Sequence, residues 1–116
     1  MKNLLIALLC TLTSLSLCAQ NKTDKIVQDS FTVQGICEMC KARIEKAALY
    51  TPGVKLAVWD QEKLSLKVVY KSDKTSIDKI SKNIAKAGYA TQYDKAEDEA
   101  YKELPDCCKY NEVAPH

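Results

Sequence analysis

Between residues 30 and 50 the hydrophobic period of this chain changes from two to about 3.6, and two cysteines sit at the change. Ser30-Phe31-Thr32-Val33-Gln34 alternates polar and apolar as a half-buried strand does, with Phe31 and Val33 on one face. From Cys40 onward, Cys40, Ile44, Ala47 and Ala48 fall at i, i+4, i+7 and i+8, one face of a helix. Cys37 and Cys40, within Gly35-Ile36-Cys37-Glu38-Met39-Cys40, therefore lie where a strand hands over to a helix N-terminus. Residues three apart on a helical turn are neighbours, so two sulfurs can meet one ion. The positive end of the helix dipole favours thiolate over thiol, and the thiolate is the form that binds metal.

The remaining elements follow from the same periods. The first helix spans about Met39–Tyr50 and is stopped by Thr51-Pro52-Gly53. Val54–Asp60 is a second strand whose apolar residues fall on both faces, Val54, Leu56 and Val58 against Ala57 and Trp59, so alternation leaves its inward face open. Asp60-Gln61-Glu62 turns the chain into a third strand, Lys63–Tyr70, with Leu64, Leu66, Val68 and Tyr70 inward. Thr75 N-caps a second helix, with Asp78 three residues on, a stripe of Ile77, Ile80, Ile84 and Ala87, and Gly88 at its C-terminus. Tyr89–Tyr93 is a short fourth strand. The order βαββαβ predicts an α+β, ferredoxin-like domain: a four-stranded antiparallel sheet, strands one and three central, with two helices on one face.

Residues 1–19 read as a secretory signal peptide: Met1-Lys2-Asn3 is a short positive start, Leu4–Leu17 is mostly apolar, and cleavage is expected after Ala19. The protein is then periplasmic or secreted. Lipid attachment at Cys18 is the alternative, which Leu17 disfavours because a small residue belongs there. Residues 20–29 form a polar, flexible lead-in, 30–93 the domain and 94–116 a C-terminal helix and tail. A chain of this size buries only ~60–70% of its unfolded surface, so a staple or a tidy core is needed. The formal charge is +2, the lysines are dispersed among acids, and there is no basic stripe interleaved with aromatics, which argues against nucleic acid as a partner.

Loss of the leader leaves Cys37, Cys40, Cys107 and Cys108, and an even count in an oxidising compartment also permits disulfides. The tail is expected to carry its cysteine pair back to the first. Strand four covers ~17 Å at ~3.3 Å per residue. A helix over Asp94–Leu104 covers ~16 Å at ~1.5 Å per residue. Asp94 can cap that helix with Glu97 three positions on, and Ala100, Tyr101 and Leu104 form its contact stripe. Pro105 then ends it and presents Cys107-Cys108 beside Cys37 and Cys40, giving up to four thiolates in one cluster. The competing reading is a solvated tail with the vicinal cysteines free or cross-linked between molecules.

The strand–Cys-x-x-Cys–helix start, Pro52-Gly53-Val54 before strand two and Ala87-Gly88-Tyr89 after helix two resemble the heavy-metal-associated domain. That family includes copper chaperones, amino-terminal domains of copper-transporting P-type ATPases and periplasmic mercury-binding proteins. The resemblance covers about Ser30–Tyr93 and implies soft-metal binding by Cys37 and Cys40, with Tyr89 packed near the metal loop. The usual motif reads Gly-Met-Thr-Cys-x-x-Cys; Gly35-Ile36-Cys37 is one residue shorter and lacks that Met, so a tighter loop is expected. Cys107-Cys108-Lys109-Tyr110 is similar to the ending of a secreted bacterial subgroup of the family.

Thiolates suit Cu(I), Zn(II) and Hg(II), whereas Mg(II) and Ca(II) want oxygen. Copper ranks first because two or three sulfurs suffice for Cu(I), while structural zinc usually takes four ligands. The function expected is that of an exported carrier rather than an enzyme. It would pass its ion to a metal-transporting membrane protein or another metallochaperone, with an exposed Cys37 engaging first and Cys40 following. The rivals are a thiol–disulfide oxidoreductase, which the non-thioredoxin order of elements weakens, and a disulfide-stabilised binding module. Met39 offers a thioether, though such a residue more often fills a core gap. Glu38 reads as a solvent-facing carboxylate at a helix N-terminus. His116 reads as a solvated, disordered terminal side chain.

Overall fold

In the computed structural model, which describes residues 25–116, the elements are β1 (Ile26–Thr32), α1 (Glu38–Leu49), β2 (Val54–Asp60), β3 (Ser65–Lys71), α2 (Ile77–Lys86), α3 (Asp98–Lys102) and a 3-10 turn at Asp106–Cys108. The expected leader, and Cys18 with it, lies outside the described residues. The strands pair antiparallel in the order β1-β3-β2. Register sets Phe31 and Trp59 on either side of Leu66, and the next inward row pairs Val68 with Ala57. Leu66, Val68, Phe31, Trp59 and Ala57 are buried, and Ile44 and Ala48 of α1 and Ile80 and Ile84 of α2 close over them. Each such side chain contributes roughly 1.5–3 kcal/mol when fully buried, so this row keeps both helices on one face.

The open face of β2 is decided by a bulge. The register shifts between Val54 and Leu56. Val54 packs on the core before the shift, Ala57 and Trp59 after it, and Leu56 and Val58 turn outward. An extra residue changes the parity of a strand, which is why apolar residues occupied both faces in sequence. β2 is an edge strand, and α1 holds its end: the Trp59 N–H donates to Glu45 Oε2 at 2.9 Å, and Lys41 Nζ donates to the Trp59 carbonyl at 2.9 Å.

Four expectations need correction. Strand one begins at Ile26, so Ile26–Asp29 lie in the sheet rather than in a lead-in; β3 supplies their partners, from Ile26 opposite Lys71 onward. Strand three starts at Ser65, because Asp60 Oδ1 accepts from the Glu62 and Lys63 N–H groups and Leu64 completes the turn at φ 55°. The cap of α2 is Ser76, whose hydroxyl accepts from the Lys79 N–H at 3.3 Å; Thr75 is buried instead, its methyl 3.2 Å from where a Cβ on Gly53 would sit. Finally, among the described residues the sheet has three strands and not four. Residues 89–93 make one bridge, Val33 to Thr91, flanked by Gln34 N–H to Ala90 O and Gln92 N–H to Thr32 O. A reversal at Thr91–Asp94 ends the pairing. There Thr91 N–H donates to Asp94 O, Asp94 N–H donates to Thr91 Oγ1, and the Ser81 hydroxyl bonds both Thr91 Oγ1 and Asp94 Oδ2.

That reversal also replaces the long return helix. Asp94 is occupied by Ser81 and cannot cap, and only Asp98–Lys102 is α-helical, with Glu97 at its start and no side-chain cap. The return succeeds nonetheless. Glu97 N–H donates to Ala85 O at 3.0 Å, and Leu104 is buried against the core. Gly88, at φ 101°, passes under α3 so closely that a Cβ would lie 2.9 Å from the Ala100 carbonyl oxygen.

Candidate metal centre

Cys37 is the N-cap of α1, extended at φ −152° and ψ 173°, and its Sγ accepts from the Cys40 N–H at 3.5 Å. The loop before it is tight for a steric reason. A Cβ on Gly35 would meet the Trp59 ring at 2.9 Å and Ile44 at 3.1 Å, so the backbone lies directly on the indole. Trp59 fixes that indole by donating Nε1–H to the Val33 carbonyl at 3.0 Å. Gln61 Nε2 donates to the Ile36 carbonyl at 2.9 Å, holding the loop from outside. The chain's end returns to the same place, with His116 N–H donating to Ile36 O at 3.3 Å, so the terminus is seated through its backbone while its ring stays exposed.

The 3-10 turn after Pro105 delivers Cys108. Its Sγ lies 3.8 Å from Cys37 Sγ, Cys37 and Cys40 Sγ are 3.4 Å apart, and all three sulfurs lie within 4.8 Å of one another. With a metal–thiolate bond of ~2.3 Å, sulfurs around one ion sit ~3.8 Å apart in a tetrahedron and ~4.0 Å apart in a trigonal plane. The Cys37–Cys108 separation equals such an edge and Cys37–Cys40 is ~0.4 Å shorter, so the trio lies close enough to hold one ion. The described cysteines are all free thiols, with Cys37, Cys40 and Cys108 buried and Cys107 exposed. Two expectations change. Cys37 is covered by the tail, with the Cys107 carbonyl 3.7 Å from its sulfur. Cys107 does not join the other three, because successive residues of a 3-10 turn point ~120° apart and only one of a vicinal pair can face inward. Glu38 is exposed in the first turn of α1, as its place suggested.

The three sulfurs are not equivalent. Burial pushes the Cys37 thiol up, but hydrogen bonds from the Cys40 and Met39 N–H groups and contacts with the Cys40 and Cys108 thiols outweigh it, and the net shift is downward. Cys108 is pushed up to about 12 by burial first and then by Cys40. Tyr89 is fully buried, and its hydroxyl has no hydrogen-bond partner of good geometry among the described residues. Burial, followed by the nearby Cys40 and Cys108 thiols, raises it. A thiolate on either cysteine would give that hydroxyl an acceptor.

Tyr110 is the residue that sequence reading passed over except as part of the terminal motif. Its hydroxyl donates to the Gly88 carbonyl at 2.9 Å and accepts from the Ala90 N–H at 3.0 Å. Its ring stacks on Tyr89 at 5.8 Å and meets Tyr101 edge-on at 5.1 Å. It clamps the tail two residues beyond Cys108. Tyr110→Phe is expected to lower stability by about 1–3 kcal/mol, since the half-buried Ala90 N–H and the Gly88 carbonyl lose their partner together. It should also raise amide exchange at residues 104–110 and weaken metal binding; a variant matching wild type in urea denaturation and exchange would show that the rings alone suffice.

A thiol trio at a helix N-terminus on an α+β sandwich defines the class: a small domain built around a soft-donor site. The heavy-metal-associated domain model matches residues 30–90, and the chain belongs to that family. Among solved structures, a CopZ metallochaperone is 27% identical, with 56% of this chain and 98% of that one covered at a TM-score of 0.54. Oxidized MerP from Ralstonia metallidurans CH34 is 28% identical over 58% and 94% of the two chains, with a TM-score of 0.55. The water-soluble region of the P-type ATPase CopA from Bacillus subtilis is 30% identical over 60% and 46%, with a TM-score of 0.55. No curated protein matches the chain.

Proposed function

We propose that this protein is a carrier of a soft metal ion, Cu(I) foremost with Hg(II) and Zn(II) next, and that Cys37, Cys40 and Cys108 are its ligands. The observation that carries this is the trio of buried thiols within 4.8 Å at the N-terminus of α1. Similarity to a copper metallochaperone, to MerP and to a P-type ATPase domain supports a cargo role rather than catalysis. Cys37, with its lowered pKa, offers a thiolate more readily than Cys108, which must lose its proton as the ion settles, so loading releases protons to solvent. Release to an acceptor begins at Cys108, the ligand that the tail contributes and the one nearest the exposed Cys107. The acceptor is a thiolate site on a metal-transporting membrane protein or another metallochaperone. The leader-like residues 1–19 support export to the periplasm or beyond.

Titration of the reduced protein with Cu(I) against a chromophoric chelator tests this: tight uptake is expected, lost after thiol alkylation. Uptake that survives alkylation, or none at all, removes the reading. The 3.4 Å approach of Cys37 to Cys40 also favours thiol–disulfide chemistry as a second reading, and turnover of a disulfide substrate would support it. For the carrier, oxidation is a block. Protein shown to be free of thiols is expected to take up no Cu(I) until it is reduced, because a disulfide removes both ligands; full uptake by that form would contradict the assignment.

A further inference from the structure

Cys107 has a soft neighbour of its own. Its exposed thiol lies 3.9 Å from the Met39 thioether and 4.0 Å from Cys108 Sγ. Met39 stands between the two motif cysteines on the first turn of α1, 47% exposed, so it fills no core gap. These are two edges of a triangle around Cys107, and both match the ~4.0 Å expected for sulfurs sharing one trigonal ion at ~2.3 Å. Thioether and thiolate together are donors that select Cu(I) over harder ions. Cys108 Sγ belongs to both sets, 3.8 Å from Cys37 on the buried side and 4.0 Å from Cys107 on the open side. A thiolate sulfur keeps lone pairs after binding one ion and can bridge to a second.

We propose that Met39, Cys107 and a bridging Cys108 form a second, solvent-facing Cu(I) site at the mouth of the buried one. This deepens the carrier reading and rests on it. The outer site takes a cuprous ion with loss of the Cys107 proton to solvent and no change of oxidation state. It lies on the exposed side of Cys108, so the pair also serves as the station at which donor and acceptor thiolates meet the cargo.

The test is native mass spectrometry of the reduced full chain titrated with Cu(I), joined to NMR of the methionine ε-methyl groups. The chain has two methionines, Met1 and Met39, and Met39→Leu assigns the signal. Two ions per monomer are expected. The Met39 methyl should stay in place through the first equivalent and move with the second. Met39→Leu and Cys107→Ser should each weaken the second ion tenfold or more and leave the affinity for the first unchanged. A wild-type protein that stops at one ion overturns the proposal, as does a second ion found only in dimers. A methyl signal that stays fixed through two equivalents, or variants that keep or lose both ions together, overturns it too. Failure to bind even one ion sinks the carrier reading instead, so the two failures are distinct.

Discussion

Cys37→Ser and Cys108→Ser are each expected to weaken binding of the buried Cu(I) by roughly a hundredfold or more while the protein stays folded. Binding of zinc by four ligands in small domains is worth ~10–16 kcal/mol, so one ligand carries about 3 kcal/mol, and each 1.4 kcal/mol is tenfold. Cys37 Sγ lies 3.4 Å from Cys40 and 3.8 Å from Cys108, and hydrogen bonds hold its pKa below the ordinary thiol value. Its loss leaves Cys40 and Cys108 without the sulfur that contacts each of them. Cys108→Ser leaves the Cys37–Cys40 pair, a two-sulfur site, and reads the share of the tail. Serine keeps the size of the side chain, so circular dichroism should show the fold unchanged. Competition with a chromophoric chelator measures both effects. Wild-type affinity in Cys37→Ser would remove the motif as the site, and wild-type affinity in Cys108→Ser would confine it to the motif.

Trp59→Ala is expected to be the most damaging change to the fold, costing about 3–5 kcal/mol. A small domain has only ~5–15 kcal/mol to lose. The indole is 1% exposed and sits at the end of the Phe31–Leu66–Trp59 row. It also forms the floor on which Gly35 rests and donates to the Val33 carbonyl. Its removal opens a cavity directly beneath the Cys37 loop, so loss of stability should come with weaker metal binding. Trp59→Phe keeps much of the ring and loses the Nε1–H, and a cost nearer 1–2 kcal/mol is expected. The midpoint of urea denaturation separates the two. A Trp59→Ala protein within 1 kcal/mol of wild type would show that the loop does not depend on this floor.

Local signals in the sequence were strong where contacts are local. The change of period at residues 30–50 placed Cys37 at a helix N-terminus, where the structure has it as the cap. Val54–Asp60 was legible as a strand between Pro52-Gly53 and the Asp60-Gln61-Glu62 turn, the stripe of Ile80 and Ile84 from helical spacing, and Gly88 from its place one residue past the cap Ala87. The return of the tail was argued from the matched lengths of a fourth strand and an Asp94–Leu104 helix; the tail does bring Cys108 back, but by a single bridge and the short helix Asp98–Lys102.

What stayed hidden depends on partners distant in sequence. Ile26–Asp29 look like a polar linker, and only β3 makes them a strand. Tyr89–Tyr93 look like a strand, yet Ser81 of α2 draws Thr91 and Asp94 into a reversal that stops the ladder after one bridge. The inward face of β2 turned on a bulge that alternation cannot display. The same division runs through the metal centre. Spacing alone determined that Cys37 and Cys40 share one turn. Which of Cys107 and Cys108 faces them was decided by the 3-10 turn and by Tyr110, whose hydroxyl holds Gly88 and Ala90 more than a dozen residues away. A vicinal pair has no periodicity to read, and its orientation is set only when the tail packs.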